Sequence, residues 1–474
     1  MTIIQQNNKK ILRFYGLEAA RFNKGGCIYL DSAATTLMMV NAKEAADRFL
    51  EYYSNVHTNA HNKAKISGIC LEWAYQKVTE FLKCSETHEA LFMGSGATAA
   101  INGFAQLMRF NFPSRRMVVI SSMEHHSNDL PHRQNFSEAV FVPLSSKGKS
   151  AGGIDLDFLN NILEENQGRV AYVAVTGLSN VTGVRTPLQQ ICEIAHRHDT
   201  VVLVDGAQMV SRTRVDLTAL GVDAFAFSGH KLYAPGSPGV LAIKKNLLEQ
   251  LSPIYVGGGI VDDVTTSNYI LSSKLRERHQ PGTPNIYGAI LLAYAMHSLI
   301  EYGMDYIEEH EQNLCDYARK LLTQIPEVTC YGCIDNSAGT NSGCITFNIL
   351  DLPHELVGRI LNDHYGIAVR NGCFCAHPYV RSLLQEELWE LDADPENPDD
   401  INRIDSFKGM VRASFGVYTS KQDIDALAKA ISIIVQNKTN FLNNYISSSI
   451  PLTSSVSEFN PLKLLSTGNS QYEI

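Results

Sequence analysis

The sequence predicts an α/β fold built on a mainly parallel sheet, and three observations carry that prediction. Two short apolar runs, Val201-Val202-Leu203-Val204 and Ala224-Phe225-Ala226-Phe227, read as strands buried on both faces. Each leads directly into polar chemistry: Asp205 follows the first, and Ser228-Gly229-His230-Lys231 follows the second. Between Asp205 and an earlier strand-like run at 170–175, the segment 188–198 places Leu188, Ile191, Cys192 and Ala195 on one helical face. Strand, helix, strand is a parallel unit, and ligands of such sheets sit beyond the carboxyl ends of the strands. An aspartate and a lysine are therefore expected in one crevice.

In chain order, residues 1–25 read as a polar, partly helical arm, expected to pack with a smaller domain. Residues 26–290 alternate strand-like and helix-like segments and form a large domain. Within it the apolar segment 90–93 leads into Gly94-Ser95-Gly96-Ala97-Thr98-Ala99, which opens a helical pattern through Leu107. From about Tyr287 to Ile325 a Leu-, Ala- and Ile-rich helical stretch bridges into a second, α+β domain, 291–437. That domain carries strand candidates at 343–349 and 366–370 and a terminal helix at 420–436. An acidic insertion is placed at 378–410, and its core, 385–405, holds nine acidic residues, one arginine and two prolines. It reads as a solvated surface excursion, with a docking surface or lid as the sharper alternative. Residues 438–474, rich in Ser and Asn, read as a loosely held tail.

The chain has 474 residues, 45% hydrophobic and 19% charged, enough for two domains with a large core. A net charge of −9 argues against nucleic acid as a partner, because a phosphate backbone demands a basic face. No apolar run approaches the roughly 18–20 residues that span a bilayer, so no membrane partner is expected. The first ten residues are polar and lack a secretory apolar region, and a cytoplasmic location is the default expectation. The ten cysteines are irregularly spaced and do not suggest a secreted disulfide framework. Cys330-Tyr-Gly-Cys333 and Cys373-Phe-Cys375 could offer four thiolates, but CxC is unusual for structural zinc and no metal is expected.

A buried aspartate and a lysine at adjacent strand ends are what pyridoxal 5′-phosphate chemistry requires. The lysine holds the aldehyde and the carboxylate faces the ring nitrogen. Gly96, Ala97 and Thr98 at a helix N-terminus can offer backbone donors to a phosphate. Ser228 and His230 can add a hydroxyl and an imidazole from the strand end. The same glycine loop also satisfies a GxGxxA dinucleotide pattern, with Glu124 downstream, so a nicotinamide or flavin enzyme competes. Asp205 and Lys231 favour pyridoxal phosphate, because a dinucleotide fold gives them no role.

Several motifs then occur in order: Asn55-Val-His57, Gly96-Ala-Thr98, Glu124-His-His126, Ser179-Asn180, Asp205-Gly-Ala-Gln208, Ser228-Gly-His-Lys231, Gly282-Thr-Pro-Asn285 and Arg370-Asn-Gly372 leading to Cys375. In these the chain resembles the class V aminotransferase superfamily of fold-type I pyridoxal phosphate enzymes, most closely the cysteine desulfurases and selenocysteine lyases. The resemblance implies a large domain with a mainly parallel seven-stranded sheet between helices, and a smaller α+β C-terminal domain. It implies that His125 stacks on the cofactor ring, that Asn180 and Gln208 bond its substituents, and that Asp205 keeps the ring nitrogen protonated. Thr283 would reach the phosphate of a neighbouring subunit, which implies a homodimer with shared sites. Ala33, Asn180, Arg370 and Arg412 would bind the substrate, with Arg412 clamping its carboxylate. Lys231, His125 and Cys375 would be catalytic, Cys375 receiving sulfur from L-cysteine as a persulfide before a protein acceptor takes it; selenocysteine is the alternative substrate, and needs less help because selenium leaves more readily.

The chain departs from that family at four points. Ala99 stands where relatives carry glutamate, and Gln280 replaces a glutamate. His132 stands where tryptophan is common, which predicts a more polar pocket wall. Cys373-Phe374 replaces a histidine-rich pair, and the Gly-Cys-Phe-Cys run is similar to the molybdenum-cofactor sulfurases. Other class V activities (aminotransferase, epimerase, β-lyase) would leave Cys375 dispensable.

Overall fold

The computed structural model describes residues 12–17, 27–145, 153–332, 341–384 and 408–447. After β1 (Ile28–Tyr29), seven strands form one sheet: β2 (His88–Met93), β3 (Met117–Ser121), β4 (Glu138–Val142), β5 (Val170–Thr176), β6 (Val201–Asp205), β7 (Ala224–Ser228) and β8 (Gly239–Lys244). Their spatial order is β2-β8-β7-β6-β5-β3-β4, and β8 alone runs against its neighbours. The pattern of the sequence explains both covered faces. Alternate residues of the central strands enter two separate cores. Val202, Val204, Phe225 and Phe227 pack towards helices Asn62–Phe81, Leu188–Arg197 and Ile286–Tyr302. Leu203, Ala224, Ala226 and Leu241 pack towards helix Gly96–Asn111. A strand buried on both faces cannot alternate polar and apolar, so the continuous runs in the sequence are its signature.

The short hairpin β9 (Val261–Val264) and β10 (Tyr269–Leu271) stands outside that sheet. The helical stretch expected from 287 to 325 is two helices, Ile286–Tyr302 and Met304–Leu322. Gly303 separates them at φ +106°, a conformation that only glycine adopts readily. Then β11 (Val328–Tyr331), β12 (Cys344–Ile349), β13 (Ile367–Ala368), β14 (Arg370–Gly372) and β15 (Met410–Ser414) follow. Four of these make an antiparallel sheet in the order β11-β12-β15-β14, covered by helices Met304–Leu322, His354–Tyr365 and Lys421–Gln436 around a third core. Ser420 opens the last helix with a capping box to Asp423, as its Ser-x-x-Asp spacing allows.

The segment 30–36 links these bodies. β1 pairs in parallel with β13, and Asp31 bridges Ser414, while the backbone N–H and hydroxyl of Thr36 both donate to the His230 carbonyl. Of the N-terminal arm, Leu12, Phe14 and Leu17 are buried. Phe14 packs its ring against both Tyr233 and Tyr418. One expectation needs correction: the tail does not begin loosely at 438, because Lys438–Ser447 is a helix. Its Phe441 and Leu442 pack on the third core, two apolar residues that compositional reading had outweighed. The acidic stretch 385–405 and the residues beyond 447 lie outside the described residues. No helix among the described residues is long and apolar enough to cross a membrane.

Candidate active site

Because β5, β6 and β7 run side by side, their carboxyl ends bring Thr176, Asp205 and Ser228 to one edge of the sheet. A cavity of about 450 Å³ opens there. Gly96, Ala97, Thr98, His125, Asn180, Asp205, Gln208, Ser228, His230 and Lys231, all expected on sequence grounds, line it.

At one end is an anion cradle. Helix Gly96–Asn111 starts there, and the Ala97 N–H donates to Ser228 Oγ at 2.7 Å. Gly96 has φ +62°, and a Cβ at that position would stand 2.5 Å from Ser228 Oγ. The glycine is thus required both by backbone conformation and by the closeness of β7. Thr98 Oγ1 lies 2.7 Å from Ser127 Oγ, and His230 Nδ1 lies 3.1 Å from Thr35 Oγ1.

Deeper in, burial holds the Lys231 amine down to about 8, with Asp205 working in the opposite direction and Arg412 and Arg212 adding to the depression. Burial raises the Asp205 carboxyl, against the Ala207 N–H donated to its Oδ1 at 2.9 Å and the charge of Lys231. His125 accepts the Ser127 N–H on Nδ1 at 3.1 Å, which leaves Nε2 as the protonated nitrogen of the neutral ring. Desolvation first, then Lys231 and His126, holds this imidazole down to about 3, so it is neutral at any working pH. Gln208 Nε2 donates to the Ala33 carbonyl at 2.7 Å.

The cysteine loop closes the other side. Asn180 Nδ2 donates to the Phe374 carbonyl at 2.8 Å, and the His126 N–H donates to the Cys375 carbonyl at 2.7 Å. Phe374 and Cys375 have φ +51° and +55°, two successive non-glycine residues in left-handed backbone. Such strain persists only where the surroundings enforce it, and it gathers at functional positions. Cys375 is exposed and sits close enough to Lys231 to act on its charge. Arg412, 2% exposed, donates to the Asn180 carbonyl at 2.8 Å and to Asp31 Oδ1 at 3.2 Å, and lies over the Phe374 ring. Its Nε is buried and has no hydrogen-bond partner. Arg370 stands directly opposite Arg412 in the β14–β15 register. Two cations facing each other on adjacent strands repel, and the Asp31 carboxylate, bonded to Arg412 and within reach of the Arg370 charge, offsets that repulsion.

Thr283, expected at the phosphate of a neighbouring subunit, is exposed outside this cavity, with Asn55 Nδ2 3.4 Å from its hydroxyl. One expectation falls differently. His132 is not a pocket wall and is fully buried. Its ring joins Tyr172 OH at 2.8 Å and Asn128 Oδ1 at 3.0 Å. Asn128 Nδ2 in turn donates to Glu124, whose carboxyl also accepts from Ser121 and from the Thr176 N–H. Burial pushes Glu124 up to about 8 against those donors. Glu124 is therefore a buried anchor behind the site, not the ribose partner of a dinucleotide. Residue spacing gave no sign of this chain, which is assembled from the first turns after β3 and from β5.

A second cavity, of about 420 Å³, lies at the opposite ends of the strands. Its charges are satisfied among themselves: Asp223 accepts from His196 and Lys244, and Arg115 pairs with Asp199.

Sheet order, the lysine and aspartate at neighbouring strand ends, and the anion cradle together define a fold-type I enzyme. Residues 28–427 match the family described as Aminotransferase class-V. The chain belongs to the class-V aminotransferase family. A probable cysteine desulfurase of Halalkalibacterium halodurans is 35% identical over 90% of this chain and 97% of its own length. A cysteine desulfurase of Escherichia coli is 32% identical over 86% and 93%. Among solved structures, an apo cysteine desulfurase of Thermococcus onnurineus superposes with TM-score 0.76 at 28% identity, covering 90% of this chain and 99% of that one. The Escherichia coli cysteine desulfurase CsdA, in an S-sulfonic acid form, gives 0.72 at 29% identity, covering 89% and 96%.

Proposed function

We propose that the protein is a pyridoxal phosphate-dependent cysteine desulfurase that converts L-cysteine to L-alanine and captures the sulfur on Cys375. The observation that carries this reading is the strained Phe374–Cys375 turn, pinned by Asn180 and the His126 N–H beside Lys231. A transaminase or epimerase has no use for an exposed thiol held in that position.

The residues present fit the cofactor. The Gly96 cradle admits no Cβ, as a close-packed phosphate site requires. Asp205 is a buried carboxyl whose raised pKa asks for a cationic partner, which a protonated ring nitrogen supplies. Gly96, Ala97, Thr98, Ser228 and His230 would hold the phosphate, Asn180 and Gln208 the ring substituents, His125 the ring face, and Lys231 the aldehyde carbon. When bound, the cofactor supplies the electron sink that makes the substrate Cα proton acidic.

The chain's own residues do the rest. The Lys231 amine, lowered to about 8, loses its proton far more readily than an ordinary lysine and takes the Cα proton. Arg412, with its unpartnered buried Nε, binds the substrate carboxylate, helped by Arg370 and by the backbone around Ala33. The Cys375 thiolate attacks the substrate sulfur. An S–S bond forms as the Cβ–Sγ bond breaks, and the carbon fragment keeps the electron pair, gains protons and leaves as L-alanine. The persulfide then passes to a thiol of a protein acceptor. Selenocysteine is a second substrate of the same pocket, because selenium leaves more readily. Thr283, exposed here, completes the phosphate site of a second copy in a homodimer.

The test is product analysis with L-cysteine and a reductant. L-alanine and sulfide in equal amounts support the reading; pyruvate overturns it in favour of a β-lyase.

A further inference from the structure

His126 and His377 face each other where the cysteine loop meets the pocket wall. Their rings stack with centroids 4.9 Å apart and planes within 10°. His377 Nδ1 lies 3.1 Å from His126 Nε2, and the His377 backbone N–H also donates to that nitrogen, at 3.4 Å. A backbone N–H can only donate, so His126 Nε2 is an acceptor and its neutral ring carries the proton on Nδ1. His377 therefore donates from Nδ1. The two residues lie on different elements. His126 opens the short turn of helix His126–Asn128 that follows His125, and His377 opens helix His377–Leu384 immediately after Ala376. The backbone of His126 grips the Cys375 carbonyl at 2.7 Å, so side chain and main chain of one residue hold both ends of the segment 375–377.

We propose that the His126–His377 pair is a positioning device that holds the Cys375 loop against the pocket, through a bond that exists only while His126 Nε2 carries no proton. The proposal rests on the desulfurase reading for its purpose, because only sulfur capture needs that loop in place. Protonating Nε2 would set an N–H against two N–H donors and release the loop. The charged and titratable groups facing His126 are His377 across the interface and His125, Asp129 and Arg133 from its own side. Desolvation and His377 keep its imidazole below the ordinary range, which favours the closed arrangement at neutral pH. Among the described residues no group of three His, Cys, Asp or Glu side chains stands ready to hold a metal.

The test compares native holoenzyme with His377→Ala and His377→Gln; both keep the backbone donor, and the second also keeps a side-chain donor. Two readouts are used. The first, which needs no turnover, is amide hydrogen exchange across 373–384. It is expected to quicken about tenfold in His377→Ala, the size of one net hydrogen bond, and to stay native-like in His377→Gln. In the native enzyme, exchange corrected for its intrinsic pH dependence should step up as the buffer is acidified below the ordinary imidazole range. That step should be smaller in His377→Ala, which keeps only the backbone donor. The second is single-turnover persulfide formation on Cys375, read by intact mass. It should fall about tenfold in His377→Ala and recover to within about threefold in His377→Gln. The L-cysteine concentration that half-saturates the change in the cofactor spectrum should be the same in all three. Native exchange and persulfide rates in His377→Ala, or equal damage in both variants, would overturn the proposal. Exchange behaving as expected with no persulfide in any form would instead overturn the desulfurase reading and leave the clamp standing.

Discussion

Replacing Gly96 by alanine tests the anion cradle at the point where the geometry is least forgiving. The backbone there is left-handed, φ +62°, and the new methyl would sit 2.5 Å from Ser228 Oγ. Holding alanine in that conformation costs about 1–2 kcal/mol. The Ser228 hydroxyl must also turn away from the Ala97 N–H, losing a hydrogen bond worth about 1 kcal/mol. Together the penalty is about 2–3 kcal/mol, or about 30- to 150-fold in affinity for a ligand that needs the cradle intact. The assay is absorbance titration of apoprotein with pyridoxal phosphate and, in parallel, with pyridoxal. The loss should fall on the phosphate-bearing form and leave pyridoxal binding nearly unchanged. Adding Ser228→Ala to the variant should not restore binding, because the left-handed backbone cost stays and the hydroxyl that accepts the Ala97 N–H is gone. Binding of pyridoxal phosphate by Gly96→Ala within about twofold of native would refute the cradle assignment.

Three further outcomes follow from buried groups. Folded Lys231 loses its proton near 8, while the unfolded chain keeps it to the ordinary value of 10.5. Between those values the unfolded state binds more protons, so apoprotein stability should rise with pH, by at most about 3 kcal/mol, and Lys231→Met should flatten the rise in chemical denaturation. The Arg212–Glu311 pair is fully buried, and Arg212 also donates to the Phe415 carbonyl at 2.6 Å. Glu311→Leu alone should cost about 3–5 kcal/mol, whereas Arg212→Met with Glu311→Leu should recover most of it in thermal unfolding. His132→Leu strands Tyr172 OH and Asn128 Oδ1 in the core and should cost about 2–4 kcal/mol, with His132→Phe no better, since neither replaces the hydrogen bonds.

What was legible in the sequence was what repeats or is contiguous. The apolar runs before Asp205 and Ser228 read as doubly buried strands, and adjacent parallel strands bring their ends together, so the lysine and the aspartate fall in one crevice. The eight ordered motifs extended that to His125, Asn180 and Gln208, which line the same cavity. Features made by tertiary contact were not legible. The left-handed turn at Phe374 and Cys375 contains no glycine to announce it. The stacking of His126 on His377 joins residues far apart in the chain, and the facing of Arg370 and Arg412 depends on strand register. His132 was misread because one position on a six-residue helix carries no periodicity to say which side is buried.

The central claim is that Cys375 takes sulfur from L-cysteine. The most direct measurement incubates native protein and Cys375→Ser with pyridoxal phosphate, L-cysteine and a reductant, and quantifies L-alanine and sulfide from each. Equal amounts of both products are expected from the native chain and neither from the variant, with the cofactor still bound in both. Undiminished alanine from Cys375→Ser, or pyruvate in place of alanine from the native protein, would contradict it.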